Sequence, residues 1–172
     1  MERNAIKFSI RLAPQVYEAL RREAQQQGRE VGELTQRILT RHAIDAQLLD
    51  QTTVDDHEAR QRLIDRAVEV ALRLKRDEGI ARDIINKVFL AGMADEAWLG
   101  TYAAYAGGDP FQHNNPKKSS LNREIGMRIR RAIGGRVAMF NGKAIKTLVR
   151  NSIIQMFTEM EPEPKEEEGL KK

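Results

Sequence analysis

The sequence predicts a mostly α-helical protein in two parts: a small N-terminal unit of one β-strand and two helices, followed by an all-helical C-terminal domain. Three observations lead to that expectation. Apolar and polar residues alternate with period two over residues 6–12, the pattern of a half-buried strand. From Pro14 onward, apolar residues recur mostly every three or four positions, as on an amphipathic helix. The third observation is the length: 172 residues suffice for one domain or two small ones.

In the predicted strand Ile6, Phe8, Ile10 and Leu12 face one side and Lys7, Ser9 and Arg11 the other. One such strand cannot satisfy its own edges, and no partner strand is readable nearby. The first helix is predicted over 14–27. It starts at Pro14, whose fixed φ and missing N–H suit a first turn. Val16, Leu20 and Ala24 form its buried stripe, and Gly28 stops it. The second helix is predicted from Gly32 to about residue 46, with Leu34, Ile38 and Ala43 inward.

Strand, helix and helix, with Gly28-Arg29-Glu30-Val31-Gly32-Glu33-Leu34 between the helices, resemble the ribbon–helix–helix (Arc/MetJ-type) DNA-binding family over residues 4–46. The resemblance implies that the missing partner is the same strand of a second subunit, giving an intertwined homodimer whose two-stranded ribbon lies in the DNA major groove. It implies that Lys7, Ser9 and Arg11 face base edges, where Arg and Lys can donate to guanine and Ser can donate or accept. It also implies that the backbone amides of Val31, Gly32 and Glu33, opening helix two, hold a DNA phosphate. Gly32 leaves such amides accessible, whereas Glu30 and Glu33 would repel a phosphate. An amphipathic edge strand of an α+β domain is the rival reading of residues 6–12.

A boundary is expected over 47–53, so that residues 1–47 form the first domain and 54–160 the second. Gln51-Thr52-Thr53 offers a cap to a long, charge-rich helix over 54–78, whose stripe is Leu63, Ala67, Val70 and Leu74. Gly79 breaks it. A third apolar helix follows over 80–90, with Ile84, Ile85, Val88 and Phe89 inward, then a helix over 93–106 after a kink at Gly92. Trp98, Tyr102 and Tyr105 fall on one face of that helix, and packing is the expected use of the stripe. The stretch from Gly107 to Ser120 is a loop by its Gly, Pro and Asn content. Ser120 is then expected to cap a helix over 121–133, with Ile125, Ile129 and Ile133 in one row. A short strand or connector over 137–140 precedes a last helix over 142–160, capped by Asn141. Residues 161–172 read as a disordered charged tail.

Charge is distributed unevenly. Lys and Arg number 29 and Asp and Glu 25, a net charge of +4, yet residues 111–158 hold ten cations and one acid. That basic patch predicts phosphate contacts at Lys117, Lys118, Arg128 and Arg131. A solvated helical face and a dock for an acidic partner are the competing uses. No catalytic constellation, phosphate-binding glycine motif or histidine ligand spacing appears, so neither enzymatic activity nor a cofactor or metal is expected. The absence of cysteine excludes disulfides and thiolate sites. No apolar run approaches the roughly 18 residues a membrane span needs, and charged first residues leading into a strand predict no signal peptide.

The expected function is therefore a sequence-specific, dimeric transcriptional repressor of plasmid, phage or bacterial origin. It would bind operator repeats in double-stranded DNA and be cytoplasmic and nucleoid-associated. The C-terminal helices would offer a route to higher oligomers. A plasmid partition (centromere-binding) or relaxosome accessory protein is the first alternative. An antitoxin that autoregulates its operon is the second, disfavoured because residues 54–160 carry enough apolar residues for a core of their own.

Overall fold

The computed structural model describes residues 8–27 and 30–162; the expectations for Lys7 and Gly28 lie outside them. The chain forms two compact units, divided between Leu49 and Asp50.

In the first unit α1 (Pro14–Gln26) packs against α2 (Val31–Asp45). Pro14 takes the first turn behind Ala13, whose φ of −62° and ψ of 143° are extended. Only Ala24 and Leu34 are buried among the described residues of this unit. The expected strand is not there: residues 8–13 belong to neither strand nor helix, and the first element is α1. Period-two alternation is not sufficient for a strand, which also needs a ladder of hydrogen bonds. No described segment of the chain supplies that partner to residues 8–12.

The second unit is built around α3 (Gln51–Glu78), which runs along α6 (Pro116–Ile133) and against α4 (Ile84–Ala94) and α5 (Glu96–Ala106). Asp50 caps α3, accepting from the Thr53 N–H at 2.9 Å and the Thr53 hydroxyl at 2.8 Å, so the helix begins earlier than expected. Leu63, Ile64, Ala67, Val70 and Ala71 form its buried face. Gly79, at φ 79°, ends it. The next helix starts at Ile84 rather than at residue 80.

Gly92 is not a kink but a seat. A Cβ there would lie 2.8 Å from the Trp98 ring, so only glycine lets α4 approach the indole this closely. The chain turns instead at Asp95, which closes α4 and caps α5 by accepting from the Trp98 N–H at 3.1 Å. Asn115, not Ser120, caps α6, and Pro116 occupies its first turn. Leu121, Ile125, Ile129 and Ile133 then form one fully buried row.

The C-terminal unit is not all-helical, and the last predicted helix does not exist. Residues 135–162 form six short strands in three antiparallel pairs: β1 (Gly135–Val137) with β6 (Met160–Pro162), β2 (Met139–Phe140) with β3 (Lys143–Ala144), and β4 (Lys146–Leu148) with β5 (Met156–Thr158). Backbone bonds from Ala138 N–H to the Glu159 carbonyl and from Ile145 N–H to the Ala138 carbonyl tie the three pairs together around the buried Ala138. Asn141 and Gly142, at φ 48° and 73°, make the two-residue turn between β2 and β3, the primed geometry that matches strand twist. Glu161 and Pro162 belong to β6 rather than to a tail. Among the described residues no helix is long and apolar enough to cross a membrane.

Candidate nucleic-acid interface

Ser9 and Arg11 are exposed and precede α1 without regular structure. Val31, Gly32 and Glu33 form the first turn of α2, behind Glu30, whose side chain makes no capping bond. A Cβ at Gly32 would meet nothing within 4 Å, so this turn is open on that side.

The four predicted phosphate cations in the second unit sit in different surroundings. Lys117 binds the Asp56 carboxylate at 2.8 and 2.9 Å and lies 4.4 Å above the Tyr105 ring. Lys118 is buried and donates to the Gln112 carbonyl at 3.0 Å. Burial lowers its pKa from the ordinary value, with Asp109 pulling the other way. It anchors the loop before α6 and does not project toward solvent. Arg128 is mostly covered and pairs with Glu124, one turn back on α6, at 3.8 Å. Arg131 is half-buried and is also engaged. The sequence places these residues on a basic stretch, but period and charge cannot show which cations the fold turns inward.

Glu124 is the hub of that inward set. It accepts from Arg60 on α3, with Nε 2.9 Å away, and Arg60 Nη1 donates to the Tyr105 hydroxyl at 3.0 Å. Burial works against the Arg60 charge, but the Glu124 carboxylate outweighs it and holds the guanidinium above its usual pKa. The cluster joins α3, α5 and α6 and has the character of a structural brace.

The aromatic stripe is packing, as its spacing suggests. Trp98 stacks on Tyr102 at 5.1 Å, meets Phe89 edge-on at 6.3 Å, and donates its indole N–H to the Leu63 carbonyl at 3.2 Å. The Tyr102 hydroxyl donates to Asn122 Oδ1 at 2.7 Å. Burial pushes that phenol far above its ordinary pKa.

The cations left unpaired at the surface are others. Arg123, Arg130, Lys143, Lys146 and Arg150 are exposed and form no ion pair among the described residues. Residues 125–158 contain seven cations and no acid. Three of the five, Lys143, Lys146 and Arg150, come from the β-region that sequence periodicity misassigns to a helix. Their signal was legible: Asn141-Gly142 announces a hairpin, and β-branched Ile145, Thr147 and Val149 alternate with Lys146, Leu148 and Arg150. In comparisons with protein-family models, curated proteins and solved structures, no match to this chain was found.

Proposed function

We propose that the protein is a double-stranded-DNA-binding protein that acts as a homodimeric transcriptional repressor. One observation carries the reading: an acid-free stretch of seven cations, of which Arg130, Lys143, Lys146 and Arg150 stand at the surface without an ion pair among the described residues. Ordinary surface segments mix signs, which screens their field; an acid-free run with several exposed cations suits a polyanion. Ser9 and Arg11, exposed ahead of α1, are the candidates for reading bases, while the amides of Val31, Gly32 and Glu33 and the side chains of Lys117 and Arg131 are candidates for phosphate contact.

Self-association is supported by the first unit. Phe8, Ile10, Leu12, Tyr17 and Leu39 are exposed and line a groove of about 880 Å³ with Val31 and Ala43. Ala24 and Leu34, the buried residues among those described, are too small a core for so short a unit, and a second copy laid against this groove would supply the rest. An independent core in the second unit favours a repressor over an antitoxin, whose partner-binding part tends to be short and unfolded until bound.

The experiment is selection of bound duplexes from a random library. A recurring motif with two related half-sites is expected. Arg11→Ala should cost about 1–3 kcal/mol and relax one position per half-site. A selected pool without sequence enrichment would remove the repressor reading.

A further inference from the structure

The hairpin of β2 and β3 presents its apolar residues to solvent. Phe140 is 70% exposed and Met139 54%. Phe140 ends β2 beside the two-residue turn, and its exposed area contributes nothing to the core. The register places Phe140 directly across from Lys143, so the two side chains share one face of the hairpin. Further along, Lys146, Leu148 and Arg150 alternate with the half-buried Ile145, Thr147 and Val149, and Leu148, 77% exposed, stands opposite Met156 in the ladder. The surface thus carries an exposed aromatic ring beside one cation, with Lys146 on the strand that follows and Arg150 just beyond its end.

Acidic groups near this surface are already committed. Glu159 accepts from the Thr147 hydroxyl at 2.6 Å and pairs with Arg82, and Glu161 pairs with Arg136 at 2.8 Å. Among the described residues no carboxylate pairs with Lys143, Lys146 or Arg150. A protein partner met through apolar contact alone would not need this bias of charge. A second copy of the same chain would bring like charge against like.

We infer that this hairpin is a second DNA-contacting element, with Phe140 wedged between base pairs from the minor groove and Lys143, Lys146 and Arg150 on the flanking phosphates. The inference rests on the reading of the protein as DNA-binding and goes beyond it by naming a deforming contact. Apolar wedges in the minor groove partly unstack a base step and kink the duplex, and phosphate cations at their sides hold the kinked form.

The test uses the full chain and a short duplex labelled at both ends, so that end-to-end energy transfer reports bending and anisotropy reports binding. The unaltered protein is expected to bind and to bend the duplex. Phe140→Ala should abolish the bend and weaken binding about tenfold, with the salt slope unchanged, while Phe140→Leu, still an apolar wedge, should keep most of the bend. Lys143→Gln with Lys146→Gln should flatten the log–log salt slope by about 0.9 for each phosphate that the protein no longer neutralises. Bending by Phe140→Ala equal to that of the unaltered protein would overturn the wedge and leave the DNA-binding reading standing. A Phe140→Ala variant altered only in its oligomeric state would reassign the tip to self-association. An unaltered chain that binds no duplex would remove both readings.

Discussion

Phe89→Ala is expected to destabilise the second unit by about 3–5 kcal/mol, the range for emptying a phenylalanine site in a well-packed core. The residue is 1% exposed. It stands on α4 with its ring edge-on to Trp98, which in turn stacks on Tyr102. Removing the ring takes away buried apolar area and an aromatic contact together, and leaves a cavity that neighbours from several elements must collapse to fill. Gly92 limits that collapse, because the indole already rests against a position where even a methyl group would clash. Urea unfolding followed by Trp98 fluorescence measures the change directly, since Trp98 is the single tryptophan. A loss below about 1 kcal/mol would mean that α4 does not seat against α5 as described.

Glu124→Ala is expected to cost about 2–3 kcal/mol through a different mechanism. Its carboxylate serves two guanidiniums, those of Arg60 and Arg128, whose side chains are 33% and 14% exposed. Truncation removes the carboxylate that both guanidiniums share, and leaves the partly buried Arg60 charge against the neutral Tyr105 hydroxyl. The partial exposure of Arg60 moderates the cost, because water can reach it. Glu124→Ala combined with Arg60→Met should recover part of the loss, since the variant no longer holds an unpaired Arg60 charge. Equal stability of Glu124→Ala and the parent would show the cluster to be a surface ion pair of little worth.

The helices of this protein were largely legible because each carries both a period and a stop. Pro14 opens α1, Gly79 closes α3, and the rows Leu63–Ala67–Val70 and Ile125–Ile129–Ile133 are buried where a 3.6-residue period puts them. The last part of the chain was misread for a definite reason. Ile145, Leu148 and Val149 satisfy helical spacing while Ile145, Thr147 and Val149 satisfy alternation, and short apolar runs do not distinguish the two. The deciding signal was the turn at Asn141-Gly142, where both residues take positive φ. It fixes a hairpin and ends any helix there. At the other end of the chain the alternation of residues 6–12 was plain, but a strand is defined by its neighbour, and no described segment of the chain pairs with residues 8–12. The inward turn of Lys118 and Arg128 depends on Gln112 and on Glu124 being in place, which is a tertiary fact that charge counting does not contain.

The claim that this protein holds duplex DNA through exposed cations is tested most directly by its affinity for duplex DNA over a range of salt concentrations. Four unpaired surface cations in the acid-free stretch, Arg130, Lys143, Lys146 and Arg150, predict that log affinity falls linearly with log salt. The slope should be about −3 to −4 per chain, at about 0.9 for each phosphate neutralised. An affinity that does not change with salt, or no binding at the lowest salt, would contradict the account.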